Sequence, residues 1–128
     1  MRILVSALFA TAFAALTLSA ALAQTVPAKT GDTAKGKALV DGAGMTLYWY
    51  DRDRAGASDC NGVCANNWPP FHAAADAKPA GEWTVITRKD GGKQWAYKGK
   101  PLYTFYHDVD PGDAKGDGVN NVWHVATP

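Results

Sequence analysis

The sequence predicts an all-β protein, a small antiparallel sheet domain built from two pseudo-repeats. Three observations predict this class. Aromatic and β-branched residues come in short runs, turn-forming residues separate these runs, and a Y-x-[FWY]-x-x-D motif occurs twice. After residue 23 no stretch has the sustained period of an amphipathic helix. The pattern therefore favours antiparallel strands over an all-helical or alternating α/β architecture.

Residues 1–23 have the pattern of a secretory signal peptide. Arg2 precedes an apolar run rich in Ala, Leu and Phe, which ends in Ala21-Leu22-Ala23. This order predicts a leader helix that is cleaved after Ala23. Gln24 stands where a lipid-attachment cysteine would sit, so we expect no stable membrane anchor after cleavage. The mature chain is expected in the periplasm or outside the cell.

The mature chain is neutral and long enough for one domain. Loss of Arg2 leaves twelve basic and twelve acidic residues among about 105, and this balance argues against nucleic-acid binding. Residues 24–36 are small and polar and contain Pro27 and Gly31, so we expect a flexible lead-in there. A single β domain is expected over residues 37–128.

Two hairpins are predicted within this domain. The clearest joins the runs Trp83–Arg88 and Lys93–Lys98 through Asp90-Gly91, because Asp-Gly between two β-type runs is a strong turn signal. The other joins Lys37–Val40 to Met45–Tyr50 through a glycine-rich turn. Another short strand is expected near the C-terminus.

The duplicated motif divides the domain into pseudo-repeats at about 37–72 and 82–126. In each copy an Asp- and Gly-rich loop follows the motif, and an asparagine- and tryptophan-containing segment ends that loop. Within a strand the two motif aromatics share one face, and the aspartate is suited to fix the following turn. This predicts a folding signature, although a polar groove lined by the tyrosines and aspartates is the alternative. The motif residues are Tyr48, Tyr50, Asp53, Tyr103, Phe105 and Asp108.

These motifs resemble the family of bacterial secreted repeats and predicted lipoproteins that the Y-x-[FWY]-x-x-D motif defines. The resemblance covers "TLYWYDRD", "SDCNGVCANNWPPF" and "RKDGGKQWAYKGKPLYTFYHDVDPGDAKGDGVNNVWHV", which is nearly the whole mature chain. It implies no agreed biochemical activity. Many relatives carry a lipid-attachment cysteine that this chain lacks, so membrane tethering is not carried over.

Two cysteines, Cys60 and Cys64, are the only ones in the chain. Because exported cysteine pairs usually oxidise, we expect a structural disulfide that fixes the loop before Trp68. The first alternative is a copper-binding or thiol-redox site, in which both thiolates and a histidine such as His72 bind Cu(I). The second alternative is a calcium-stabilised adhesion module that uses the acidic loop Asp108–Gly118, although its spacing does not fit an EF-hand.

The sequence contains none of the common hydrolase, metalloprotease or phosphate-loop motifs, and Glu82 is its only glutamate. It therefore predicts a non-catalytic protein without a cofactor. We expect a binding or structural module that serves an unknown cell-envelope partner or a small ligand.

Overall fold

The computed structural model describes residues 10–12 and 26–128. The signal-peptide helix and its cleavage site fall largely outside these residues, so they stay predictions. The strands form three small antiparallel sheets with the orders β1-β2, β3-β7 and β4-β5-β6, which confirms the predicted all-β class. The elements are β1 (Lys29–Thr33), β2 (Gly36–Val40), β3 (Tyr48–Tyr50), α1 (Val63–Asn67), β4 (Trp83–Thr87), β5 (Lys93–Tyr97), β6 (Lys100–Pro101), a 3₁₀ turn (Val119–Asn121) and β7 (Trp123–Val125).

Strand β1 lies inside the segment that was expected to be a flexible lead-in, so that expectation is wrong for Lys29–Thr33. This strand pairs with β2 along its whole length. The polar composition of this segment does not indicate a strand, because packing against β2 determines where β1 lies. A side-chain carbon at Gly31 would lie 2.9 Å from a methyl group of Val40, so glycine lets the two strands close together. Gly36 has a φ of +90°, which glycine adopts at no steric cost in the turn.

The predicted hairpin around Asp90-Gly91 is confirmed. Strands β4 and β5 pair from Trp83 opposite Tyr97 to Thr87 opposite Lys93. A second tight turn follows at once and leads into β6. Lys98 and Gly99 both have positive φ, at 52° and 79°, as a two-residue hairpin turn of the primed type requires. This turn places lysines 98 and 100 side by side at the end of the sheet.

The two repeats are intertwined. The motif strand of the first repeat, β3, pairs with β7 from the second, and Tyr48 lies opposite Val125. In the second repeat Tyr103 pairs with Pro70 of the first, and the Thr104 N–H donates to the Pro69 carbonyl over 2.9 Å. The backbone of each motif therefore pairs with backbone of the other repeat.

A stack of four aromatic rings forms the centre of this intertwined region. The indoles of Trp68 and Trp123 lie face to face, with centroids 3.8 Å apart and planes 3° from parallel. Phe105 stacks on Trp68 at 4.2 Å, and Tyr50 stacks on Trp123 at the same separation. Since the second aromatic residue of each motif stacks on the tryptophan of the other repeat, these rings tie the repeats together.

Candidate functional site

The first tyrosines of the two motifs meet at the middle of the molecule. The Tyr48 N–H donates to the Tyr103 carbonyl over 2.8 Å, and the reverse hydrogen bond measures 3.1 Å. Both residues have no exposed surface. This mutual pairing places the two motif copies in an approximate twofold relation.

The tyrosine and aspartate side chains of the motif cross between the repeats. The Tyr48 hydroxyl donates to Asp108 Oδ2, and the Tyr103 hydroxyl donates to Asp53 Oδ2 over 2.6 Å. The second oxygen of each carboxylate accepts a backbone N–H of its own loop, from residue 59 in one case and residue 115 in the other. Each aspartate thus fixes its own loop and holds the tyrosine of the other copy.

Burial keeps these hydroxyl groups neutral. It raises the pKa of Tyr48 and of Tyr103 above the ordinary value, and the neighbouring aspartates raise it further. Burial also raises the pKa of Asp53, although hydrogen bonds from Tyr103 and from the Asp59 N–H partly offset this effect. Neutral hydroxyls are hydrogen-bond donors to the carboxylates, so these groups hold the repeats together from inside the core.

Arg88 organises the polar side of the first loop. Its guanidinium donates to Ser58 Oγ at 2.9 Å, to Gln94 Oε1 at 2.7 Å and to the Cys60 carbonyl at 2.6 Å. Ser58 Oγ in turn lies 2.6 Å from the Tyr103 hydroxyl. A buried chain of hydrogen bonds therefore runs from Arg88 to the motif tyrosine.

Cys60 and Cys64 are joined by a disulfide, with Cα atoms 5.2 Å apart. The bond spans the start of helix α1, and Cys60 is fully buried. His72 is exposed and pairs with Gln94 at a strand edge. Because both sulfurs are consumed by the disulfide, they offer no thiolate for copper. Among the described residues no three or more His, Cys, Asp or Glu side chains are grouped to hold a metal ion.

The carboxylates of the acidic loop bind backbone N–H groups. Asp113 accepts hydrogen bonds from the N–H groups of Val109 and Asp110, each at 3.0 Å, and these bonds lower the pKa of Asp113. Asp117 accepts the Val125 N–H at 3.0 Å. These oxygens serve as turn-fixing acceptors, which leaves the calcium alternative without structural support.

A groove of about 530 Å³ lies beside the intertwined strands. It is formed by the face of β3 and β7 on which Trp49 and His124 are cross-strand neighbours, by the loop after β3 and by the turn between β5 and β6. Its volume falls within the range of small-molecule sites. The lining residues are Trp49, Tyr50, Asp51, Asp53, Arg54, Ala55, Lys98, Gly99, Lys100, Pro101, His124 and Val125.

Polar groups converge in this groove. His124 Nε2 lies 2.6 Å from Asp51 Oδ2, and the Lys100 ammonium lies 4.3 Å from the centre of the Trp49 ring. Arg54 and Lys98 contribute two more cations, which lie 3.6 Å from Asp59 and 3.9 Å from Glu82. A molecule bound in the groove would meet hydrogen-bond donors, the Asp51 carboxylate with its His124 partner, and the Trp49 ring.

Of the predicted site residues, only Tyr50 and Asp53 line the groove. Tyr48, Tyr103 and Phe105 lie in the core region instead, and Asp108 is buried. The sequence did not reveal the groove, because Asp51 and His124 are brought together only by the register of β3 against β7. A pairing of the first motif strand with the C-terminal strand, if deduced from the repeat, would have been the signal.

A comparison with protein-family models matches the chain twice. Residues 29–72 and 84–127 both match a family described as a secreted repeat of unknown function. No curated protein and no solved structure matches the chain significantly. Within the part of the chain that the structure describes, no helix is long and apolar enough to span a bilayer. Since the two matches cover more than half of the sequence, the chain belongs to this family of secreted repeats.

Proposed function

We propose that this secreted protein is a non-catalytic binding module of the cell envelope, and that the groove beside β3 and β7 is its ligand site. On this proposal the leader is cleaved after Ala23 and the mature chain acts in the periplasm or outside the cell. The intertwined core serves as a rigid support for the groove.

The observation that carries the proposal is the convergence of polar and aromatic groups in one concave surface. The Asp51–His124 pair, lysines 98 and 100 and the Trp49 ring come from three separate segments and face the same space. Binding sites typically combine an apolar wall with a few such polar groups.

Heteronuclear NMR of the mature chain with a library of small polar molecules tests this proposal. Binding compounds should shift the indole N–H signal of Trp49 and the backbone amides of Gly99 and His124. The variant Ala55→Trp fills the groove and should abolish these shifts. Ala43→Trp is the matched control, because Ala43 is an exposed turn residue outside the lining.

Two results would contradict the proposal. Either no compound shifts the groove signals, or compounds that bind do so equally well in Ala55→Trp. Binding that survives Ala43→Trp and is lost in Ala55→Trp supports it.

A further inference from the structure

We propose that the ligand of the groove is an acidic saccharide, a sugar that carries a uronic-acid carboxylate. This inference rests on the proposed function and names the chemical class that the groove is built to recognise. Three features of the groove support it: its charges, the Asp51–His124 pair and the Trp49 ring.

In the described ranges, 10–12 and 26–128, one of the cations in the groove has no neighbouring carboxylate to neutralise it. Three cationic side chains line it, from Arg54, Lys98 and Lys100, against the carboxylates of Asp51 and Asp53. Asp53 is already hydrogen-bonded to Tyr103 and to the Asp59 N–H. The cation that is left without a carboxylate therefore favours an anionic ligand, such as one that carries a carboxylate.

Lys100 is the cation most available to such a ligand. Among the ion pairs of residues 26–128 it takes part in none, whereas Arg54 and Lys98 each have a carboxylate within 4 Å. Its ammonium lies over the Trp49 ring, held by the negative face of the indole. A carboxylate that enters the groove would meet this ammonium without first breaking an ion pair.

The Asp51–His124 pair indicates that the anionic ligand also carries hydroxyl groups. A carboxylate and an imidazole 2.6 Å apart can accept from and donate to neighbouring hydroxyl groups. A ligand that carried only negative charge would be repelled by Asp51. Sugars with a carboxylate carry both kinds of group, and the half-buried Trp49 adds apolar surface beside the Lys100 ammonium.

Isothermal titration of the mature protein with short oligomers of galacturonate, glucuronate and mannuronate tests this class. At least one oligomer should bind, and its neutral methyl ester should bind at least about tenfold more weakly. The affinity should also fall as salt is added. Lys100→Gln should weaken binding about twofold to fivefold, as expected for the loss of one partly exposed charge pair. Lys89→Gln, on an exposed turn outside the lining, is the matched control.

Several outcomes would overturn the inference while the proposed function stands. These are equal binding of ester and acid, equal binding of a simple aromatic carboxylate without hydroxyl groups, an unchanged affinity in Lys100→Gln, or binding of no uronate when library compounds still shift the groove signals. Failure of every compound in the library as well would overturn both.

Discussion

The two crossed tyrosine–aspartate pairs have the same connectivity but different surroundings. Tyr103, which bonds Asp53, also contacts Ser58, and Arg88 and the Cys60–Cys64 disulfide hold that loop. Tyr48, which bonds Asp108, instead accepts the Gly116 N–H at 3.3 Å. The additional hydrogen-bond partner of the tyrosine is a side chain in one pair and a backbone N–H in the other.

The difference indicates which features of the duplicated motif the fold requires. Both copies keep the hydrogen bond between repeats and the aspartate that fixes its own loop. The means of closing the loop differ, because a disulfide in one copy and a set of turn-fixing aspartates in the other both order the chain before the stacked tryptophan. Function can therefore diverge in the loops while the centre is conserved between copies.

The largest effect is expected from a substitution that crowds the Tyr48–Asp108 pair. In Gly116→Ala the new methyl group would lie 2.7 Å from the Trp68 ring and 2.9 Å from the Tyr48 ring. Because both rings are packed in the core, we expect a loss of about 3 kcal/mol in the free energy of unfolding. Urea denaturation measures this loss. Gly42→Ala, where the methyl group meets nothing within 4 Å, should change stability by less than about 0.5 kcal/mol.

Removing each hydroxyl compares the two pairs directly. Tyr48→Phe leaves Asp108, which is 9% exposed, without its side-chain donor, and should cost about 2.5 kcal/mol. Tyr103→Phe should cost less, about 1.5 kcal/mol, because Asp53 is only half-buried and water can replace the donor. Urea denaturation of both variants gives the order. A larger loss of stability in Tyr103→Phe would show that the hydrogen-bond chain through Ser58 and Arg88 contributes more than the burial of Asp108.

The sequence predicted the duplication, the all-β class and the hairpin at Asp90-Gly91, because these depend on local spacing and turn chemistry. It did not predict the crossing of the pairs. Tyr48 and Asp108 are far apart in the chain, and either aspartate could have bonded the tyrosine of its own copy. Strand β1 was missed because its polar composition does not indicate a strand, whereas its pairing with β2 depends on tertiary structure. The groove was missed because its residues come from both repeats.

Loss of the disulfide tests whether the two loops are equally well ordered. Closing a loop this short contributes about 2 kcal/mol in the chain-entropy model, so Cys60→Ser with Cys64→Ser should lower the free energy of unfolding by that amount. The aspartate-fixed loop of the second repeat should be unaffected, which amide hydrogen exchange would show. Faster exchange in both loops would mean that the loops are coupled through the stacked tryptophans.

Alkaline pH tests whether the pairs are equivalent. An unfolded tyrosine ionises near about pH 10. The raised pKa of Tyr48 and Tyr103 means that the folded chain keeps two protons that the unfolded chain releases. Their contribution to stability is therefore complete below about pH 10 and is lost above it, by up to about 1.4 kcal/mol per pH unit for each tyrosine.

Urea denaturation across this pH range, for the parent and for each Tyr→Phe variant, measures these slopes. Each variant should remove one of two similar contributions, since burial and an aspartate raise both pKa values. Absorbance of the phenolate gives an independent reading, because the two buried hydroxyls should ionise only as the chain unfolds. If one variant keeps the full slope, the tyrosine it lacks is accessible to hydroxide in the folded state. The two copies would then share a hydrogen-bonding pattern without sharing its protection from solvent.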